Sequence, residues 1–580
     1  MQANPAMGQL FRRRRAGAGL RLLASAWALA ATAVLAVSTQ YVGIPHGPEG
    51  SLLAPAVETK AQLALLVILG LASILVVRWG VAGGVALVAG GIALGVLAAV
   101  QYRPLVALLA CLAFLVPGIV VLAGWAFRRG QAARTAVAVA VGLALAGGGL
   151  GAQALHAYAF GPTHPQSALP ALPESELAWV WAGGTTPTGF RVVARTSGPA
   201  RTARLLVGRR PDLSDARALD SARLDDGRSV ALTAAGLQPA TAYRYAVEVD
   251  GELDRTRSGR LRTFPAGPSS FTLATGACAR TGSNGSVFDA IRELDPLAYL
   301  ITGDIHYANL ERNAVGPFRR ALERGLRRPA QSELYRSTSV AYGWDDHDFG
   351  PNDADRTSPT RPAALAAYQR FVPHYPLAGD PEETGIAQAF TVGRVRVLMT
   401  DLRSQRSPTS TPDGPDKSML GAAQRRWLEG ELRAARGRFP LVLLTSSVPW
   451  IAPAEEGADS WAGYAHERQA IARAIAGSGV RVVILAGDAH MVAIDDGTNS
   501  NYAGTPGPGP AVLHGAALDR RGSAKGGPYS AGAFPGSGQF ATVSVSDDGG
   551  ERIGVVLRGW DWTGRILTSV RLSVPAGAGV

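Results

Sequence analysis

The sequence predicts a multi-domain chain in which an all-α membrane region is followed by a β-sandwich and then by a larger α/β domain. Three features predict this order: apolar runs of membrane-spanning length before residue 160, short alternating runs with turn residues from 177 to about 264, and β-rich runs alternating with helical patterns from 271 onward. The predicted boundaries are 1–160 for the membrane region, 161–176 for a linker, 177–266 for the sandwich and 270–575 for the α/β domain.

The membrane region is predicted from five apolar runs, since a helix needs about 20 residues to cross the hydrocarbon core. The runs are residues 22–42, 61–77, 80–100, 105–127 and 135–155. The second is short and the third is rich in glycine, so these two are the weaker candidates. We interpret the first run as an anchor rather than a removed signal peptide, because no small-residue cleavage site follows it. The alternative, buried helices of a soluble protein, is disfavoured because the runs have few polar faces.

The distribution of charge predicts the orientation of this region. Residues 1–160 carry +9 of the formal net charge of +12, so the basicity belongs to the apolar part and no nucleic-acid partner is expected. Basic clusters at residues 11–15 and 128–134 precede the first run and separate the fourth from the fifth. Because positive loops stay in the cytoplasm, five spans place everything after about residue 160 outside. We therefore expect a multi-pass protein of the cell membrane whose larger part is extracytoplasmic.

The segment between the membrane region and the α/β domain is predicted to form a small β-sandwich behind a flexible linker. Residues 161–176, GPTHPQSALPALPESE, are rich in proline and polar residues, as linkers are. Residues 237–251, LQPATAYRYAVEVDG, resemble the late strands of a fibronectin type III domain, in which a Leu, a Pro and a Tyr recur at this spacing. A length of roughly 90 residues suits such a sandwich. Modules of this kind usually act as spacers or contact surfaces.

Polar side chains follow the successive strands predicted in the α/β domain. These residues are Cys278; Asp304; Asp345 and Asp346; Asp401 and Arg403; and Asp488 and His490. Because ligands of such sheets bind beyond the carboxyl ends of the strands, we expect these side chains at one edge. One such residue is commonly structural, whereas a succession of them is not expected by chance. Clustered carboxylates repel one another and need cations, so the pattern predicts metal ions.

Four motifs in the α/β domain resemble those of a known family. They are ITGDIHYANL at 301–310, WDDHDFGPND at 344–353, TDLRSQR at 400–406 and LAGDAHM at 485–491. In this order, over about residues 270–560, they are similar to the motifs of PhoD-like alkaline phosphatases, a branch of the metallophosphoesterases. The resemblance implies a four-layer αββα domain, commonly preceded by a β-sandwich. It also implies a binuclear or larger metal centre with iron and calcium, other divalent metals being possible.

The resemblance implies a set of metal ligands by motif position. They are Cys278, Asp304, Tyr307, Asn352, Asp488 and His490, with Asp304 bridging two metals. Thiolate and phenolate suit an oxidised iron, whereas carboxylate and amide oxygens suit calcium. Two other interpretations stay open from the residues alone: Cys278 as a small buried residue and Tyr307 as a packed aromatic.

The implied reaction is hydrolysis of a phosphate mono- or diester. Arg403 is expected to contact the phosphate, with Arg406 as the alternative, because an arginine fork fits phosphate oxygens. His347 is expected either to face the substrate, as proton donor or phosphate ligand, or to orient another group, and Asp346 is expected to orient His347. Residues 525–539, KGGPYSAGAFPGSGQ, form a Gly-rich loop that we expect at the wall of the site.

Three functions are compatible with these observations. The leading hypothesis is a membrane-anchored, outward-facing, metal-dependent phosphatase or phosphodiesterase. The second is a phospholipase D-like phosphodiesterase that acts on lipid headgroups, since the chain is expected at a membrane. The third is a catalytically inactive adhesion or binding protein that acts through its β-sandwich. Intact residues at all the motif positions argue against the third.

Overall fold

The computed structural model describes residues 18–19, 21–32, 57–101, 104–139, 142, 146, 165–224 and 228–576. The chain divides into two compact units, residues 1–160 and 161–580. The first unit is helical where it is described. The second contains all the described strands together with the helices that pack on them.

Among its described residues, the first unit has three long apolar helices, α1 (Val57–Arg78), α2 (Gly80–Gln101) and α3 (Pro104–Arg129), and helical residues at 21–32 and 131–139. Leu69, Leu87 and Phe114 bury their side chains where these helices meet. Within the described ranges, Leu108–Arg129 has the length and apolarity needed to cross a membrane, and Ala64–Arg78 and Gly80–Val96 are apolar but shorter. The predicted runs at 22–42 and 135–155 lie partly outside the described residues, so the number of spans stays a prediction.

The second unit begins with seven strands in two layers. They are β1 (Leu177–Thr186), β2 (Gly189–Thr196), β3 (Thr202–Gly208), β4 (Arg217–Arg223), β5 (Ser229–Ala234), β6 (Ala242–Val249) and β7 (Glu252–Arg262). Strands β4-β3-β6-β7 form one antiparallel sheet, and β1-β2-β5 form the facing layer. Val192 and Leu232 from one layer pack against Leu205 and Val247 from the other. The segment is therefore a β-sandwich, and its closer likeness to fibronectin type III stays a prediction.

The sandwich shares a sheet with the α/β part of the unit. Strand β1 runs parallel to β10, with Gly183 opposite Val340. A side chain at Gly183 would place its Cβ 2.1 Å from the Val340 carbonyl oxygen, so only glycine allows this close approach. The two parts are continuous through this pairing, and the predicted boundary between 266 and 270 stays a prediction.

The α/β part contains thirteen further strands. They are β8 (Phe271–Gly276), β9 (Ala298–Thr302), β10 (Ser339–Gly343), β11 (Gln388–Val392), β12 (Val395–Met399), β13 (Leu441–Ser446), β14 (Arg481–Ala486), β15 (Met491–Asp495), β16 (Ala511–Gly515), β17 (Ala533–Pro535), β18 (Gln539–Ser546), β19 (Arg552–Asp561) and β20 (Ile566–Pro575). The strand orders are β20-β19-β18-β8-β9-β10-β1-β2-β5 in one sheet and β11-β12-β13-β14-β16-β15-β17 in the other. Strands β8, β9 and β10 are parallel neighbours, and so are β12, β13, β14 and β16.

The α/β part also contains helices, most of which cover the outer faces of these two sheets. They are α4 (Val287–Glu293), α5 (Val315–Leu326), α6 (Pro329–Ser337), α7 (Asp346–Phe349), α8 (Arg361–Phe371), α9 (Pro381–Thr384), α10 (Gly421–Ala435) and α11 (Ala465–Ser478), with a 3₁₀ turn at Trp461–Tyr464.

The layers are held by three apolar cores. Between the sheets, Leu273 and Leu300 of the nine-stranded sheet share a core with Leu443 and Val483 of the seven-stranded sheet. Helices α4, α5, α6 and α8 pack on the outer face of the first sheet, and α10 and α11 on that of the second. The order is helix, sheet, sheet, helix, as the resemblance implies. The parallel strands of both sheets end in the loops that carry the predicted ligands.

Candidate metal centre

The strand-end loops hold several residues in a backbone conformation that side chains rarely adopt. Cys278 has φ 63°, Asp304 has φ 55° and Asp488 has φ 60°, and each lies two residues beyond the last residue of its strand. Asn309 and Asp353, on adjoining loops, have φ 46° and 58°. Such conformations cost energy and persist where the surrounding structure enforces them, which is common at functional sites. The number of such residues at this edge of the sheets indicates a functional site.

Two glycines allow the strand ends to approach one another. A Cβ at Gly487 would lie 2.5 Å from the Thr302 carbonyl oxygen, and a Cβ at Gly303 would lie 2.6 Å from the Asp345 Cβ. The first contact joins the end of β14 to the end of β9, although these strands belong to different sheets. The Gly-Asp pairs in both motifs therefore bring Asp304 and Asp488 to one place.

Four of the predicted ligands meet in one cluster. The Cys278 Sγ lies 3.7 Å from the Asp304 Oδ2. The Tyr307 hydroxyl lies 3.2 Å from the His490 Nε2, and the Tyr307 side chain packs beside Cys278. The His490 Nδ1 lies 2.7 Å from the Arg521 carbonyl oxygen, which accepts its proton and leaves Nε2 unprotonated and directed at the cluster. Thiol, carboxyl, phenol and imidazole thus converge, as the motif positions imply.

Carboxylates extend this cluster into two adjoining groups. Ligand atoms of Asp304, Asp346 and His347 all lie within 4.8 Å of one another, and so do those of Asp346, Asp353 and Asp459. Asp346 belongs to both groups and links them. Asp459 was not predicted from the sequence, because it lies in the loop after β13 with no strand end or motif beside it. Its acidic character alone would not have distinguished it from a solvated loop residue.

The burial and the charges of the cluster favour a bound cation. The Asp304 Oδ1 and the Asp345 Oδ2 are buried and have no hydrogen-bond partner among the residues that the structure describes. Burial, together with the charges of Asp346 and Asp345, raises the pKa of Asp304 well above its usual range. Burial likewise raises the pKa of the Cys278 thiol, and Asp304 and Asp488 add to this. Unpaired oxygens amid repelling carboxylates are the arrangement that a bound cation stabilises.

The residues of the acidic loop after β10 have two roles: some stabilise the loop, and others belong to the cluster. The Asp345 carboxylate accepts from the α7 backbone while the Asp348 carboxylate accepts from the Asp345 backbone, a reciprocal cap of this short helix. Burial raises the pKa of Asp348 to about 7. Burial opposes ionisation of Asp346, but His347 and Arg403 outweigh it and lower the pKa of Asp346. Asp346 is therefore held as an anion beside Asp304.

His347 lies at the mouth of the cluster. Its Nδ1 is hydrogen-bonded to the Asn309 Oδ1, and its ring lies 4.1 Å from the Tyr307 ring between centroids. Burial lowers the pKa of His347 despite the opposing charge of Asp346. Because an amide oxygen only accepts, the hydrogen bond places the proton of neutral His347 on Nδ1 and leaves Nε2 as an acceptor.

Arg403 is enclosed by carboxylates in the structure. Its side chain is fully buried, and its Nε donates to the Asp345 Oδ1 at 2.5 Å. Its Nη1 and Nη2 form a fork with the two oxygens of Asp459, at 3.0 and 2.9 Å. Arg406 is equally buried and lies 2.6 Å from the Asp459 Oδ1. In this arrangement both guanidinium groups hold the acidic loops together, and the predicted contact of Arg403 with phosphate stays a prediction without support from this geometry.

Two further residues lie where the sequence did not lead us to expect them. Asn352 has an exposed side chain, one residue before Asp353, whose backbone N–H donates to the Asp346 Oδ2 at 2.7 Å. Its role as a ligand stays a prediction. Asp401 is buried and accepts from the backbone of Ile386, Arg403 and Ser404, so it shapes the loop after β12.

The segment 519–527 forms one wall of the cluster. The Arg520 guanidinium lies 4.0 Å from the centroid of the Tyr307 ring, and the Lys525 Nζ lies 2.7 Å from the Asp488 Oδ1. Burial opposes protonation of Lys525, but Asp488 outweighs it and raises the pKa of Lys525. The Gly-rich loop was expected at the wall of the site, whereas Arg520 was not foreseen because it precedes that loop and belongs to none of the four motifs.

Comparison with known proteins gives a family for this domain. Residues 273–512 match the model of the PhoD-like phosphatase family. Two relatives from Mycobacterium tuberculosis, uncharacterized protein MT2654 (strain CDC 1551 / Oshkosh) and uncharacterized protein Rv2577 (strain ATCC 25618 / H37Rv), are each 29% identical over 221 residues. These alignments cover 34% of this chain and 38% of each relative, so the chain spans well under half the length of the curated relatives it matches.

A solved structure of PhoD has the same fold. It aligns with a TM-score of 0.57 at 17% identity and covers 72% of this chain and 95% of that chain. The structural likeness therefore extends beyond residues 273–512. The match of residues 273–512 confirms the family predicted from the motifs, and the solved structure shows the fold.

Proposed function

We propose that this chain hydrolyses phosphate esters at the cluster formed by Cys278, Asp304, Tyr307, Asp488 and His490. The observation that carries the proposal is the buried Asp304 carboxylate, whose Oδ1 has no hydrogen-bond partner among the described residues, within a domain that matches the PhoD-like phosphatase family. Hydrolysis of a phosphate monoester is among the slowest uncatalysed reactions in water, so the site must supply strong charge stabilisation. Metal ions held by the residues of this cluster would supply it.

The residues of the cluster suit a mixed metal centre. Bound metal ions would supply Lewis acidity and a water of lowered pKa. The Cys278 thiolate and the Tyr307 phenolate suit an oxidised iron, and the carboxylates of Asp304 and Asp346 suit calcium. Asp304 lies between these two sets, within reach of both Cys278 and Asp346. Iron and calcium are therefore the metals that we propose, and the Asp304 carboxylate would hold both of them.

The residues beside the cluster set the charge and the proton position there. Because Asn309 holds the Nδ1 proton of His347, its Nε2 accepts rather than donates in this tautomer, and the expected roles of proton donor and phosphate ligand stay predictions. Asp346 lies beside His347 and keeps the local charge negative. Phosphoryl transfer depends chiefly on positioning and on charge neutralisation, so no covalent serine nucleophile is required.

Metal analysis of the purified chain tests the metal centre directly. We expect more than one metal per chain by elemental mass spectrometry, and a clear loss in Asp304→Ala. Less than one metal per chain in the native protein would refute the proposal. Hydrolysis of p-nitrophenyl phosphate, bis(p-nitrophenyl) phosphate and phosphatidylcholine would then identify the ester class. Turnover of the lipid alone would indicate the phospholipase D-like alternative.

We also propose that the chain is anchored in the cell membrane with its phosphatase domain outside. The apolar helix Leu108–Arg129 and the basic clusters before and after the apolar runs support the proposal. A reporter that is active only in the cytoplasm, fused after Val580, tests the orientation. We expect no reporter activity, and an active fusion would overturn the five-span topology.

A further inference from the structure

We propose that Lys525 makes this site select phosphate monoesters over diesters. The inference rests on the proposed function, because it concerns which ester the same cluster prefers. A monoester carries close to two negative charges above neutral pH, whereas a diester carries one. A fixed cation at the rim of the cluster distinguishes the two substrates by charge.

Lys525 is close to the metal cluster and open to solvent at the same time. Its Nζ lies 2.7 Å from the Asp488 Oδ1. The Lys525 side chain is 49% exposed, whereas that of Asp488 is 16% exposed. The carboxylates of Asp459 and Asp346 also act on the Lys525 ammonium group. The ammonium group therefore lies where the cluster meets solvent, the position from which a charged substrate enters.

The backbone fixes Lys525 in this place. The Tyr529 hydroxyl donates to the Lys525 carbonyl oxygen at 3.0 Å, and the Gly527 N–H donates to the Ile451 carbonyl oxygen at 2.8 Å. Gly526 has φ 69°, and a Cβ there would lie 2.0 Å from the same Ile451 oxygen. Only glycine allows this contact, so the chain is held against Ile451 immediately after Lys525. The cation is directed at the cluster by a built turn rather than by a free surface loop.

The other cations near the cluster are less suited to this task. Arg403 and Arg406 are fully buried, and both contact the Asp459 carboxylate. A substrate phosphate would have to displace Asp459 to reach them. The Arg520 guanidinium stacks on the Tyr307 ring. Lys525 combines exposure with a direct contact to a predicted metal ligand.

The expected effect follows from one additional charge. The interaction of the Lys525 ammonium with one extra negative charge at ~4 Å, screened as in water, changes a binding or rate ratio about fivefold. The neutral variant Lys525→Met should therefore lower kcat/KM for p-nitrophenyl phosphate about fivefold more than for bis(p-nitrophenyl) phosphate. Lys525→Arg keeps the charge and should keep the ratio of the two rates.

The experiment uses the metal-loaded full-length chain and a charge-matched control. Arg571→Gln removes one exposed positive charge from the edge strand β20 and should leave the ratio unchanged. Binding is measured in parallel by calorimetry with inorganic phosphate and dimethyl phosphate at pH 8. We expect Lys525→Met to weaken binding of inorganic phosphate about fivefold relative to dimethyl phosphate.

The outcomes separate this inference from the proposed function. If the native chain turns over neither ester, the proposed function fails, and the phosphate pair still decides the role of Lys525. An unchanged monoester-to-diester ratio in Lys525→Met overturns the inference even if hydrolysis is fast. A native protein that binds inorganic phosphate no more tightly than dimethyl phosphate overturns it as well. If the ratio falls equally in Lys525→Met and in Arg571→Gln, the effect belongs to the net charge of the protein, and the proposed role of Lys525 is likewise refuted.

Discussion

The replacement Asp304→Asn should stabilise the metal-free protein while it removes the stabilisation that metal provides. Asparagine has the shape of aspartate without its charge. Asp304 is buried, and its Oδ1 has no hydrogen-bond partner within the described part of the chain. In the absence of a cation, its charge is opposed by the neighbouring carboxylates. Neutralising it should therefore help the folded state.

The geometry sets the magnitude of this effect. Ligand atoms of Asp304 and Asp346 lie within 4.8 Å of each other. Two unit charges at that distance repel by about 3 kcal/mol at an effective dielectric constant of ~20. The difference in pKa between the folded and unfolded states sets an upper limit. A carboxyl group with a pKa of about 4 in the unfolded chain costs the folded state about 4 kcal/mol when it is kept neutral there at pH 7. We expect the free energy of unfolding of metal-free protein to rise by about 3 kcal/mol at pH 7 in Asp304→Asn.

The sign of the pH dependence gives a second check. The pKa of Asp304 in the folded protein is raised, so its contribution to stability is fully present below about pH 4 and is lost as pH rises through the folded pKa. The difference between Asp304→Asn and the native protein should be near zero at pH 4 and should grow towards pH 8. Urea unfolding of the chelator-treated chain, followed by tryptophan fluorescence, measures both values.

A matched control is available at Asp401. This carboxylate is also buried, but it accepts from the backbone of Ile386, Arg403 and Ser404. Asp401→Asn should destabilise the protein whether or not metal is present, because donors are left unsatisfied. The reasoning on Asp304 is refuted if Asp304→Asn destabilises the metal-free protein as Asp401→Asn does. It is also refuted if iron and calcium raise the unfolding midpoint of Asp304→Asn as much as that of the native chain.

Three further predictions concern residues around the site. Arg403→Ala should destabilise the protein by about 3–5 kcal/mol in urea unfolding, because it leaves the buried Asp345 without its partner; a loss below ~1 kcal/mol, the scale of exposed pairs, would contradict the buried network. Gly526→Ala should lower the monoester-to-diester rate ratio, since a Cβ would push the turn away from Ile451, and an unchanged ratio with normal folding would show that the turn does not position Lys525. His514 is a fully buried residue of strand β16, and burial lowers its pKa to about 3, so its contribution to stability is present above about pH 6.5 and is lost as pH falls towards 3. Replacing it in His514→Gln should reduce the loss of stability between pH 6.5 and 4 by about 3 kcal/mol, and equal acid sensitivity of the two proteins would argue against this.

The predicted sheet edge illustrates how far sequence alone can lead. Cys278, Asp304 and Asp488 each follow an apolar, β-rich run, and the carboxyl ends of parallel strands meet at one edge. That rule was sufficient to place them together. Tyr307 and His490 lie two to three residues farther along the same loops, and their side chains meet at 3.2 Å. The loops are short, so position along the chain was a good guide to position in space.

Arg403 illustrates where such reasoning stops. It also follows a strand, and its charge suggested a phosphate ligand. The structure instead encloses it between Asp345 and Asp459, because Asp459 arrives from a loop that carries no motif. The direction of a long side chain depends on which partners surround it, and those partners are distant in sequence.

The sequence by itself determined the alternation of strands and helices and the residues at the strand ends, and the resemblance of its motifs predicted the family. The strands and their ends depend on periodicity and on local chain geometry, which a single strand or loop already contains. Only the tertiary structure decided which charges face the cluster and which are enclosed. It brought Asp459 to the two arginines, Lys525 to Asp488, and β1 of the sandwich into the sheet of the neighbouring domain. Each of these contacts joins residues far apart in the chain, and their energies depend on burial and on neighbouring charges that exist only after folding.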